Sequence, residues 1–186
     1  MVIILAFSAM AGGIISKLIL VGQAPYPTGV VVITNLGEIN VKFDLRSPNA
    51  VRNFIRLART GFYDGTRIHR VEQGYFIQGG DPLSKYVNLK SVWGHGGPGY
   101  TFADEVHPDD KIGRGVVAMA NTGPDTNGSQ FFIVAHPSLT ILGGTYSIFG
   151  RVTAGMDIVD KIANGPVGVT GIPAQEVIIT NIKLIQ

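Results

Sequence analysis

FYDGTRIHRVEQGYFIQGGDP, residues 62–82, alternates around a central glycine. On an extended chain His69, Val71 and Gln73 fall on one side, and Arg70 and Glu72 on the other. Gly74 marks a turn. Tyr75-Phe-Ile-Gln78 then reads as the returning strand, stopped by Gly79-Gly80. The spacing predicts a hairpin that brings Arg70 close to Gln78. A lone arginine on a strand is ordinarily a solvated or salt-bridged surface residue. An arginine beside an aromatic pair and across from a glutamine is less ordinary. The amide oxygen of glutamine can accept from a guanidinium without neutralising it, leaving a fixed cation for a ligand.

MANTGPDTNGSQFFI, residues 119–133, is the second informative stretch. Asn121 to Gly128 form a polar loop of turn residues. Ser129 to Ile133 follow as a strand with Phe131 and Phe132 on opposite faces. One phenylalanine belongs to a core; the other, after Gln130, is placed to line a pocket. Toward the N-terminus, Val30–Thr34 and Glu38–Phe43 flank Asn35-Leu-Gly37 as a hairpin. Ser47-Pro48 signals a helix start with Ser47 as cap, and Ala50, Val51, Phe54, Ile55 and Ala58 recur at helical spacing up to Gly61. A second helical pattern runs from about Gly155 to Ala163, and Glu176 to Ile185 is a β-branched strand. Two helices and roughly eight short strands predict a mainly β fold: a closed antiparallel barrel capped by helices.

At 186 residues, 45% hydrophobic and 15% charged, the chain can bury a core of one ordinary domain. A net charge of +2 gives no pull toward nucleic acid. The absence of cysteine excludes disulfides, thiolate metal sites and cysteine nucleophiles. His69, His95, His107 and His136 show no metal-ligand spacing, so no metal and no cofactor is expected.

Residues 1–24 differ from the rest. The first fifteen are apolar apart from Ser8, and Lys17 is the one charge. The stretch falls between a signal core and a full membrane span. It is read as an anchor or signal, which places the protein at a membrane or outside the cytoplasm; the alternative is a packed strand or helix and a cytoplasmic protein. Residues 1–21 are the candidate attachment segment, and residues 25–186 form the globular domain.

The motifs FYDGTRIHRV, FIQGGDP, GYTFADE, VAMANTGPDTNGSQFFI and IFGRV occur in the order found in the cyclophilins, and the resemblance covers about Val30 to Ile185. It implies an eight-stranded barrel capped by two helices that isomerises X-Pro peptide bonds. It puts Arg70 on the catalytic arginine, Gln78 on the glutamine that orients it, and Phe132 and Asn121 in the catalytic set. Tyr75 and Phe76 fall on the proline pocket, with Leu142 on its leucine and Tyr146 where histidine is frequent. Ala120 and Gln130 fall on substrate-backbone contacts, and His69 is counted with the substrate-binding residues. The partners implied are proline-containing peptides and unfolded protein clients, met by a monomer. Ile141 aligns with the family's frequent tryptophan, which implies weak cyclosporin binding; Trp93 lies in another loop. Residues 83–95 exceed the family's usual loop. Their Lys85, Tyr86, Lys90 and Trp93 read as a solvated lid in preference to a partner surface. A proline-peptide binding module without turnover is the competing function. Together, Arg70, Gln78, Asn121, Gln130 and Phe132 favour the enzyme.

Overall fold

The computed structural model describes residues 26–139 and 144–186. The elements run β1 (Gly29–Thr34), β2 (Gly37–Phe43), α1 (Pro48–Arg59), β3 (Arg70–Glu72), β4 (Phe76–Gly79), β5 (Val116–Met119), β6 (Phe131–Val134), β7 (Ile148–Ala154), α2 (Met156–Ala163) and β8 (Ile179–Ile185). Two 3-10 segments, Pro82–Lys85 and Val87–Val92, lie between β4 and β5. The expected anchor or signal at residues 1–24 lies outside the described residues, as do Ile141 and Leu142. Among the described residues no helix is long and apolar enough to cross a membrane.

The eight strands form one antiparallel sheet in the order β3-β4-β6-β5-β7-β2-β1-β8. The sheet is curled but open, which corrects the expected closed barrel. The end strands β3 and β8 share no ladder. The segment before β3 meets the start of β8 at the Arg67–Ile178 bridge, where the Ile68 amide donates to the Val177 carbonyl at 2.9 Å, the Gly65 amide to the Ile179 carbonyl at 2.8 Å and the Ile179 amide to the Thr66 carbonyl at 2.8 Å. The outer edge of β3 is turned to the loop before β8 and not to β8: the Val71 amide donates to the Gly171 carbonyl at 2.7 Å.

Alternation explains where the core sits. Along β6, Phe131 and Ile133 face the inside of the curl, while Phe132 and Val134 face outward. Along β5, Val117 and Met119 face in, and Val116 and Ala118 face out. Both strands are therefore buried on two faces, and their sequences read as unbroken apolar runs. Phe54 of α1 fills the inner core. Its ring stacks on Tyr63 at 4.8 Å and meets Phe131 edge-on at 5.3 Å and Phe149 at 5.0 Å. The smaller outer core, beneath Phe76, Ala120 and Tyr146, carries the candidate site.

The start of α1 departs from the sequence expectation. Ser47 makes no capping hydrogen bond with its side chain. The Glu105 carboxylate, brought over from a distant loop, takes the role and accepts from the Asn49 and Ala50 amides at 3.0 and 2.9 Å. A carboxylate satisfies two orphan donors and complements the helix dipole, which a hydroxyl cannot do as well. At the other end Gly61 adopts a φ of +67°, the left-handed conformation that stops a helix most cheaply with glycine.

Candidate active site

β3 and β4 pair with Arg70 opposite Gln78 and Glu72 opposite Phe76, as the alternation predicted. Val71 is buried, while Arg70 and Glu72 are exposed. Gln73 departs from that pattern. It has left the strand, is exposed, and donates to the Gly165 carbonyl at 3.0 Å. Gly80 closes β4 with a φ of +87°, where a Cβ would stand 2.5 Å from the Ser129 carbonyl oxygen. A side chain there would push β4 away from the chain that leads into β6.

The Arg70 guanidinium donates to Gln78 Oε1 at 3.4 Å and lies over the Phe76 ring at 5.0 Å. Its outer edge reaches Glu72 at 3.6 Å, where both side chains are about half exposed (50% and 55%), so the pair is screened by water. Gln78 Nε2 donates to Gln130 Oε1 at 2.9 Å. Gln130 Nε2 in turn donates to the Gly94 and Gly96 carbonyls at 2.9 and 2.8 Å. These bonds fix which end of each amide faces which partner. The Gln78 oxygen is left for Arg70, and the chain ends on backbone.

Behind Arg70 lies an aromatic floor. Phe132 packs against Phe76 at 5.6 Å and meets Tyr146 edge-on at 5.1 Å. With Ala120 and Asn121 these groups line a cleft of about 630 Å³. A second groove of about 690 Å³ continues from it past Gln130 and shares Gln78, Ala120 and Asn121. The Asn121 side-chain amide donates to the Thr145 carbonyl at 3.1 Å, which pins the residue at the rim. The arrangement offers an apolar slot for a ring, a cation at its mouth, and backbone along one wall.

Of the site residues read from the sequence, His69, Arg70, Phe76, Gln78, Ala120, Asn121, Phe132 and Tyr146 line the first cleft, and Gln130 lines the second. Tyr75 does not. It is 46% exposed and stacks flat on His136 at 4.9 Å, so its ring turns away from the cleft. Leu142 lies outside the described residues. The sequence reading took Lys90 and Trp93 for a solvated lid and did not put them in the site; they form its far wall with His95, Thr170 and Ile172, which the sequence reading missed. No short motif marks that wall. The tether of the 82–95 segment is a carboxylate one residue before it: fully buried Asp81 accepts from the Leu83 amide at 2.7 Å and the Gly94 amide at 2.5 Å. Arg67, stacked 5.5 Å from Trp93, adds bonds to the Ser84 and Lys85 carbonyls.

His69 sits beneath this wall, 4% exposed, and neither ring nitrogen has a hydrogen-bond partner. Burial pushes its pKa below the ordinary 6.5, against the pull of the nearby Asp81 carboxylate. The unfolded chain therefore takes up this proton at a higher pH than the folded one. The stability from a neutral His69 is present above pH 6.5 and declines as pH falls through the folded pKa. Urea unfolding at about pH 7.5 and about pH 5.5 tests the linkage. Stability is expected to drop at the lower pH, and His69→Phe should flatten that drop. An equal drop in the variant would assign it to other groups.

Among the described residues no group of three or more His, Asp or Glu side chains could hold a metal. Residues 29–184 match the family model described as cyclophilin type peptidyl-prolyl cis-trans isomerase/CLD. Peptidyl-prolyl cis-trans isomerase-like 1 of Mus musculus is 42% identical over 138 residues, covering 73% of this chain and 80% of that protein. Peptidyl-prolyl cis-trans isomerase B of Streptomyces anulatus is 42% identical over 169 residues, covering 80% and 91%. A crystal structure of a Cryptosporidium parvum cyclophilin type isomerase superposes with a TM-score of 0.78 at 37% identity, covering 87% of this chain and 99% of that one. The same protein crystallised in the presence of the dipeptide Ala-Pro gives 0.77 at 36% identity. Fold, motif order and sequence identity agree: the chain belongs to the cyclophilin-type peptidyl-prolyl cis-trans isomerases.

Proposed function

We propose that the cleft binds the X-Pro segment of unfolded or flexible protein chains and that Arg70 stabilises the twisted amide, so that the protein assists folding steps limited by proline isomerisation. Rotation about the X-Pro bond is slow because amide resonance sets a barrier of about 18–20 kcal/mol. Twisting the bond returns a lone pair to the proline nitrogen. A guanidinium aimed at that nitrogen interacts with the twisted amide more strongly than with either planar form, which is the condition for catalysis. The proline ring would rest on Phe76, Phe132 and Tyr146 while the preceding residue rotates along Ala120 and Asn121. No nucleophile, base or proton transfer enters this scheme.

The observation that carries the reading is the hydrogen-bonded series Arg70–Gln78–Gln130, which holds a cation at the mouth of an aromatic slot without a carboxylate inside it. A protease-coupled assay on a proline tetrapeptide tests it. Acceleration of the cis-to-trans step at catalytic protein concentration is expected. Peptide binding without acceleration would overturn the reading in favour of a proline-peptide binding module.

A further inference from the structure

The cleft has cations on its walls and no anion. Arg70 and Lys90 line it, and among the described residues no Asp or Glu lines either the cleft or the groove that continues it. The segment that supplies the far wall reinforces the imbalance: residues 82–103 contain Lys85 and Lys90 and no acidic residue. Lys90 enters no ion pair among the described residues. Its ammonium lies 5.8 Å from the Trp93 ring centre. Glu72 reaches only the outer edge of Arg70 and does not line the cleft. Nor is this wall a free loop. Asp81 accepts from the Gly94 amide, and Gln130 donates to the Gly94 carbonyl. The charge is thus presented at a fixed place beside the aromatic slot.

We infer that the cleft selects peptides with a carboxylate side chain, Asp or Glu, beside the proline, and that Lys90 is the specificity-determining residue. The inference rests on the reading of this cleft as the proline-peptide site. A cleft walled by one sign of charge focuses its field on whatever enters. The pairing is solvent-accessible, so each contact is modest and screened by salt. Two such cations give a preference of about fivefold at low ionic strength.

The test uses proline tetrapeptides carrying Glu, Ala or Lys at each position flanking the proline. Binding is followed by Trp93 fluorescence, since the chain has one tryptophan and it lines the cleft, and by calorimetry. At about 20 mM salt the Glu peptide should bind about fivefold tighter than the Lys peptide at one flanking position, and the difference should shrink severalfold by about 0.5 M. Lys90→Glu should abolish or reverse the preference for Glu over Lys, each affinity being taken relative to that of the Ala peptide on the same variant. Equal affinities for all three peptides at both positions would overturn the inference. So would a Glu preference that survives in Lys90→Glu. Turnover is measured separately: a Glu preference without acceleration would sink the isomerase mechanism and leave the charge selection standing.

Discussion

Arg70→Ala is expected to lower kcat/KM for a proline tetrapeptide by about 10²–10³-fold, the usual cost of removing a preorganised donor aimed at developing charge. The fold should be untouched. The Arg70 side chain is 50% exposed, and its partners are a glutamine at 3.4 Å and a half-exposed glutamate at 3.6 Å, contacts worth little to stability. Gln78 keeps its bond to Gln130, so the wall behind it stays in place. Arg70→Lys should recover little. An ammonium is a point charge and does not reproduce the planar fork that spans the Gln78 oxygen and the Phe76 face together. Circular dichroism and thermal unfolding check the fold, and the protease-coupled assay checks the rate. Activity within about twofold of the parent would remove Arg70 from the chemistry.

The second large effect is on stability. Asp81→Ala should destabilise the domain by about 3 kcal/mol, because two partly buried amides, of Leu83 and Gly94, both lose the carboxylate that accepts from them. For a domain of this size that lowers Tm by roughly 6–12 °C. The loss should also loosen the 82–95 wall, so peptide affinity falls although Asp81 lines neither the cleft nor its continuing groove. Asp81→Asn keeps one acceptor oxygen and should restore part of both. An unchanged Tm in Asp81→Ala would mean that the wall is held by Gln130 and Arg67 alone.

Much of the site was legible because it is local. The alternation of residues 69–72, a glycine turn and a short return strand are enough to set Arg70 opposite Gln78. The pair Phe131-Phe132 must split between faces once it lies on a strand. The features that escaped the sequence are long-range. Glu105 caps α1 from more than fifty residues away. Gln130 reaches the Gly94 carbonyl 36 positions back. Tyr75 finds His136 as a stacking partner across the sheet. No periodicity announces such pairings, because each depends on where loops return. The barrel expectation failed for a related reason: strand number can be counted along a chain, but closure depends on how much edge the first and last strands in the sheet can share.

The pairing of β1 with β8 has a consequence for synthesis. Val32 sits opposite Ile182, and roughly 150 residues must be made between them. At translation rates of about 5–20 residues per second that is a wait of about 8–30 s. During it the β1–β2 hairpin can form, yet the other edge of Gly29–Thr34, GVVVIT, stays bare. A bare, strongly apolar edge is a template for pairing with other chains. The β1 edge is therefore open to such pairing until β8 has left the ribosome and covered it.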